Sequence, residues 1–377
     1  MNFFLPSLAG LSFALNLWPW FVACRFPLHS RVAEINFAPA VTLLKPLKGC
    51  DAHTANCLRS WLAQNYSGAQ QILFGVADAN DSVCELVRNL LREFPHRDAQ
   101  LIYCPESLGT NAKVSTLAQL ERHAVHEFLV VSDADVCAPT DLLANLVAPL
   151  RAENVGLVNC LYRLANPTTP AMRLEAIAIN ADFWSQVLQA RSLAPLDFAL
   201  GASMAVRRKN LSAIGGFSVL ADFLADDFQL GHRLAQNGAH LELCPVVVEC
   251  WDQPMTTREV WQHQLRWART VRVCRPMGFF FSGLTNATLW PLLWLVFARS
   301  GLALEFFCAA LLVRILTAQH LQSRLHQTAL TLHHAWLVPV KDLWQFAVWL
   351  AAHWGNHIAW RGEQFRLRRD GKLERLG

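Results

Sequence analysis

Charged side chains are scarce, at 16% of 377 residues against 53% hydrophobic ones, and mean hydropathy is positive at +0.22. That balance excludes a chain that is soluble throughout, and part of it is expected in lipid. Residues 1–24 carry no charged side chain at all, so the basic n-region of a cleaved signal peptide is missing and a retained anchor is expected. The 11 cysteines include no Cys-x-x-Cys pair and no zinc-type Cys/His spacing. They are expected as reduced, buried small hydrophobes in a cytosolic domain without a disulfide frame. Internal repeats and low-complexity segments are also lacking. The net charge of +4 gathers near the apolar segments and in 361–375, which suits anionic headgroups better than nucleic acid.

What is present divides the chain in four. Residues 1–24 are long enough to cross a bilayer, and Arg25 and Arg31 directly follow. The positive-inside tendency then predicts an outside N-terminus and an integral membrane protein whose following domain is cytoplasmic, with a bacterial inner membrane favoured. Residues 40–275 read as strands and helices in alternation. Brief apolar runs at 41–44, 71–77, 100–103, 127–131 and 155–160 predict strands, and 54–64, 82–94 and 110–124 predict helices. The fold class expected is α/β, a doubly wound and mostly parallel sheet with its chemistry at the carboxyl ends of the strands. Residues 276–356 are apolar again. The stretches 276–298 and 301–318 predict a hairpin of spanning helices joined at Arg299-Ser300, while 334–354, interrupted by Lys341 and Asp342, either spans or lies in the interface. Residues 357–377 read as a basic tail.

Acids punctuate the domain at strand ends. In Val131-Ser132-Asp133-Ala134-Asp135-Val136 an apolar strand closes on Asp-x-Asp, a place where a divalent cation would bridge carboxylates to a diphosphate; turn or cap aspartates are the alternative. Asp78 follows Phe74-Gly75-Val76-Ala77 in the same way, facing a nucleotide or merely turning the chain, and Asp81 reads as a cap for the helix after it. Asp226 and Asp227 open an amphipathic helix, either capping it or offering a general base. The run Trp261-Gln262-His263-Gln264-Leu265-Arg266-Trp267 puts imidazole, guanidinium and indole on one helix face. That face suits phosphate and sugar, or else a juxtamembrane belt.

Taken in order, these segments resemble the ceramide glucosyltransferase family over almost the whole chain. The likeness rests on Leu44-Lys45-Pro46-Leu47-Lys48-Gly49, Asp78, Asn111-Ala112-Lys113, Asp133, Asp226-Asp227, Arg266-Trp267, and Trp360-Arg361 with Phe365-Arg366-Leu367. The resemblance implies a nucleotide-diphospho-sugar transferase fold of the A type, a UDP-sugar donor, a divalent cation (Mg2+ or Mn2+) and a lipid alcohol acceptor such as ceramide. It implies that Asp78 binds the uridine part, Asp133 and Asp135 the metal and diphosphate, and that Asp227 is the catalytic base. Lys113 becomes a donor-binding neighbour, and Arg266 with Trp267 lines the donor and acceptor site.

Three departures bear on this. His263 stands where the family usually has Arg or Gln, and Asp226 where it has Glu, so both are kept as possible acceptor or donor contacts. Asp135 completes an Asp-x-Asp that animal members lack, which draws the chain toward bacterial relatives, some of which transfer N-acetylglucosamine to a hopanoid polyol. The expected reaction is inverting transfer of one sugar, glucose favoured, to a ceramide-like lipid. The rim for that lipid is expected at 278–281 and 290–294. Alternatives are the hopanoid reaction, a processive polysaccharide synthase, and a non-catalytic membrane nucleotide-sugar binder or transporter. For the last, Glu305 is the nearest intramembrane feature, with Arg314 as its expected partner.

Overall fold

The structure is a computed structural model that describes residues 3–32, 37–330, 332–360 and 362–376. Met1 and Asn2 of the expected anchor and Arg361 of the family-like segment lie outside the described residues. The strands are β1 (Val41–Leu47), β2 (Gln70–Val76), β3 (Asp98–Tyr103), β4 (Phe128–Ser132), β5 (Val136–Cys137), β6 (Val155–Leu164), β7 (Ser203–Arg207), β8 (His240–Cys250), β9 (His357–Trp360), β10 (Glu363–Leu367) and β11 (Leu373–Arg375).

The first eight form one sheet in the order β3-β2-β1-β4-β7-β6-β8-β5. β1, β2, β3 and β4 run parallel, as do β6 and β8, while β7 and β5 run against their neighbours. Strand side chains alternate between two buried layers. Leu43, Ile72, Phe74 and Val130 pack with Trp61, Leu62 and Val87, whereas Leu44, Leu73, Leu129 and Val131 pack with Leu117, Trp184 and Phe217. Burial on both faces is why these strands read as near-continuous apolar runs. The expected helices appear as Thr54–Leu62, Val83–Glu93 and Ala112–His123.

Helix Phe4–Arg25 is uncharged until its last residue and is long and apolar enough to cross a membrane, as is Gly301–His326. Ring and polar contacts from Phe13 to Phe306, Asn16 to Thr317 and Trp20 to His320 run upward in both numberings, so the two helices lie parallel with their C-terminal ends at the domain of the eight-stranded sheet. Between them, 276–298 is not one straight helix: Pro276–Thr285 and Leu289–Ala298 meet at 51°. Polar side chains hold the break. Asn286 Nδ2 donates to the Asp342 carbonyl at 2.7 Å, and Thr288 Oγ1 to its carboxylate at 2.6 Å. Arg299, in the left-handed region at φ 47°, then turns the chain into Gly301–His326.

Helix Leu337–Ala352 has 16 residues, short for a span, and its Lys341 and Asp342 are buried. They join a four-charge cluster with Asp182 and Arg314: Arg314 pairs Asp182 at 2.9 Å and Asp342 at 2.8 Å, and Lys341 pairs both acids. The expected partnership of Arg314 with Glu305 is thereby corrected. Nine residues apart on one helix, the two side chains sit about 180° from each other around its axis and point to opposite sides. The segment expected as a basic tail is folded, with β9, β10 and β11 forming a small antiparallel sheet in the order β11-β10-β9.

Candidate active site

Because β1, β2 and β4 are parallel, their carboxyl ends open on one edge. β4 is buried along its whole length and delivers Asp133 to that edge. Beneath it Lys45, on β1, is fully buried; its Nζ donates to the Asp133 carbonyl and approaches Ser132 Oγ at 3.4 Å. Burial pulls this ammonium down to about 8, against the opposing pull of neighbouring groups that include Asp135 and Asp133.

A second lysine joins the acids. Asn111 caps helix Ala112–His123 by accepting from Val114 N at 3.3 Å, and its Nδ2 donates to the Phe223 carbonyl at 2.8 Å. That anchor, two residues away, aims Lys113 into the crevice, where its Nζ lies 2.7 Å from Asp133 Oδ1 and 3.1 Å from Asp226 Oδ2. The two carboxylates raise the Lys113 pKa despite its burial. Asp226 and Asp227 open helix Asp226–Gln236, whose N-terminus favours negative charge. Asp227 packs so closely on the Gly201 backbone that a Cβ there would sit 2.9 Å from its Oδ2. Burial, followed by the charge of Asp226, pushes its carboxyl up to about 6, with Lys113 opposing.

Asp135 is half-buried, and its desolvation together with the charges of Asp133 and Asp252 pushes it up to about 7. Asp133 and Asp135 are hard carboxylate donors of the kind that suits a divalent cation, with Lys113 already beside Asp133. Among the described residues no set of three or more His, Cys, Asp or Glu surrounds such an ion. Two protein carboxylates with donor phosphate oxygens and water are the usual magnesium arrangement, so the residues fit.

Helix Thr257–Cys274 walls the opposite side and starts on a Thr256/Glu259 capping box. His263 Nδ1 meets Glu175 Oε1 at 2.9 Å, and its ring lies 4.6 Å from that of Trp267. Trp267 packs with Tyr162 on the Leu164, Ala176 and Ile179 cluster. Arg266 is close enough to Asp252 to oppose the rise of its pKa, which burial causes.

The structure therefore brings Asp133, Lys113, Asp226 and Asp227 together. Asp135 stands beside them, and His263, Arg266 and Trp267 share the facing helix. Asp78 sits exposed past the end of β2, two strands from β4 on the same edge, its carboxylate accepting from Asn80 N at 2.9 Å and its carbonyl from Asp81 N at 3.1 Å, apart from Asp133, Asp226 and Asp227. Asp81 does cap, accepting from Val83 N at 2.9 Å, and also grips Gly49 N, where φ is 68°. Lys45, Glu175 and Asp252 escaped the sequence reading as site residues. A charge inside an apolar run, as in Leu44-Lys45 or Leu174-Glu175-Ala176, is the signal for the first two.

The C-terminal sheet also reaches the site. Leu373 N donates to the Asp222 carbonyl at 2.7 Å and Leu224 N to the Gly371 carbonyl at 3.3 Å, so the segment before Asp226 is tied to the chain at and just before β11. Arg269 and Arg272, on the helix of Trp267, hold the carbonyls at Trp354, Gly355 and His357.

A mostly parallel sheet with acids past β2 and β4 and a helix-start carboxylate facing them defines a nucleotide-diphospho-sugar transferase fold of the A type. The chain belongs to glycosyl transferase family 21, whose family model matches residues 9–373. Ceramide glucosyltransferase 3 of Caenorhabditis elegans is 23% identical over 215 residues, covering 57% of this chain and 46% of that protein. A beta-monoglucosyldiacylglycerol synthase of Trichormus variabilis is 25% identical over 268 residues, covering 69% and 54% respectively. The chain thus spans about half the length of these curated relatives. A mannosyltransferase of Pyrobaculum calidifontis, solved with GDP-Man and Mn2+, shares the fold with a TM-score of 0.54 at 20% identity, covering 92% of this chain and 99% of that one.

Proposed function

We propose that this protein transfers one glucose from UDP-glucose, with inversion, to the hydroxyl of a ceramide-like membrane lipid. The observation that carries the reading is Lys113, which joins the strand-end Asp133 to the helix-start Asp226 in one crevice. In this reading Asp78 receives the uridine, Asp133 and Asp135 face the diphosphate, and Lys113 neutralises charge beside it. A bound Mg2+ or Mn2+ would supply Lewis-acid stabilisation of the leaving diphosphate. Asp227 takes the acceptor's hydroxyl proton as that oxygen bonds to the anomeric carbon, and the bond from that carbon to the UDP oxygen breaks on the opposite face. Arg266 and Trp267 flank the sugar, and His263, held by Glu175, orients the Trp267 ring.

Lipid as acceptor is supported by the membrane helices and by the relatives, which are named for ceramide and for diacylglycerol lipids. Exposed Phe280 and Phe281, on the bent pair of helices, offer an apolar approach. Arg25 and Arg324 at the domain ends of the two spans support a cytoplasmic catalytic domain. Supplying purified protein in lipid with UDP-glucose or UDP-N-acetylglucosamine, and ceramide or a hopanoid polyol, tests the reading by product mass. One added hexose on ceramide is expected. One N-acetylhexosamine on the polyol would replace this proposal with the hopanoid one, and a sugar ladder would indicate a processive synthase.

A further inference from the structure

A cavity of about 250 Å³ lies apart from the crevice, where helix Gly301–His326 meets the catalytic domain. Its lining includes Arg173, Gln319, Gln322, Ser323, Thr328 and His334, and among the described residues no carboxylate. The Arg173 guanidinium has no acidic partner among the described residues, in contrast to buried Arg314 with its two. A guanidinium confined beside amide and hydroxyl donors, with no counter-charge, suits an anion with several acceptor oxygens.

Two further features link this place to the bilayer. Leu312 and Leu316, 58% and 41% exposed, fall on the same helix stripe as Gln319 and Ser323, so an apolar track leads down the span into the polar cavity. Around the mouth, Leu330, Leu332 and Trp336 are 49%, 54% and 65% exposed, an apolar and aromatic edge of the kind that headgroup layers accommodate. We infer that the cavity seats the phosphate of an anionic lipid headgroup, with an acyl chain along the Leu312–Leu316 stripe.

This lipid is not the acceptor. Helix Pro170–Ile177 and the π-helical stretch Ala178–Phe183 that continues it stand between cavity and crevice. Ala176 lines the cavity yet also packs in the cluster that supports Trp267, and Glu175 on the same helix holds His263. The site therefore stands whichever sugar or acceptor the crevice takes.

The test uses the full chain in nanodiscs of phosphatidylcholine with and without phosphatidylglycerol, and native mass spectrometry to count the lipids retained. The wild type is expected to keep one phosphatidylglycerol in preference to phosphatidylcholine. Arg173→Ala should bind it roughly tenfold more weakly and Arg173→Lys should recover part of the loss. Millimolar inorganic phosphate should leave the bound lipid in place. Binding of UDP by each variant checks that it is folded. Equal phosphatidylglycerol retention by wild type and a UDP-binding Arg173→Ala would overturn the inference. So would displacement of the lipid by inorganic phosphate, which would make the cavity a free-anion site.

Discussion

At the scale of single residues, Asp227 is held in a setting that suits a proton acceptor: half-buried, next to Asp226, with its carboxyl raised to about 6. Only the ionised form accepts a proton, so transfer should be lost as pH falls through about 6 and should level off above it. Asp227→Asn is expected to lower kcat by about 10²–10⁴-fold and to abolish that acidic limb, while UDP binding by calorimetry stays unchanged. Retained turnover in the Asn variant would assign the proton to another group. Gly201→Ala probes position alone, because the new Cβ would meet Asp227 Oδ2 at 2.9 Å. Displacing the carboxylate should lower kcat on the order of a hundredfold with little change in donor KM. Asp133, Asp226 and Asp227 were legible because acids that end apolar strands or open helices stand out from the pattern. Lys113 entered only through the family resemblance, whereas Arg266 was also legible from its three-residue spacing to His263 on one helix face. Lys45 counted only toward the family likeness and Asp252 not at all; the apolar run around Lys45 marks a charge out of place, but what that charge does becomes legible only once its partners in space are known.

At the scale of elements, the small C-terminal sheet acts on the site through the backbone. Its Leu373 N–H bonds the Asp222 carbonyl at 2.7 Å, four residues before Asp226. Leu373→Pro removes that donor, a loss of about 1–3 kcal/mol of local order. kcat is expected to fall about tenfold with the UDP-glucose KM retained, and unaltered kcat would show that the sheet is a mere appendage. Read from sequence, the segment is only basic, because β9, β10 and β11 are short and the sheet they form is docked on distant residues 222–224 by an isolated bridge and two backbone hydrogen bonds. The same reason hides β7, five residues inserted antiparallel between β4 and β6, and β8, where a register shift and Pro245 interrupt the alternation. Of the five strands that were legible, β1, β2, β4 and β6 have both faces largely buried and so needed no distant information. β3, at the sheet edge and with no buried residue, was legible as a brief apolar run.

At the scale of the whole molecule, the Asp182, Arg314, Lys341 and Asp342 cluster bolts a membrane helix and helix Leu337–Ala352 to the catalytic domain. Arg314→Met leaves buried Asp342 and half-buried Asp182 with one cation and should cost about 3–5 kcal/mol, seen as a lower thermal midpoint in detergent. An unchanged midpoint would mean that the cluster does not hold the domain. Composition and hydropathy made the membrane segments legible. The 51° break at 286–288 was not, because its cause is Asp342, which the chain brings back from 54 residues beyond Thr288.

The central claim is that one crevice beside the bilayer both releases UDP and deprotonates a lipid alcohol. The most direct measurement supplies UDP-[13C]glucose of α configuration and ceramide to the purified protein in lipid, and reads the product's anomeric configuration by NMR. The account predicts a single hexose per lipid in β linkage, formed in step with UDP release. An α-linked product, or UDP release with no glycosylated lipid, would contradict it.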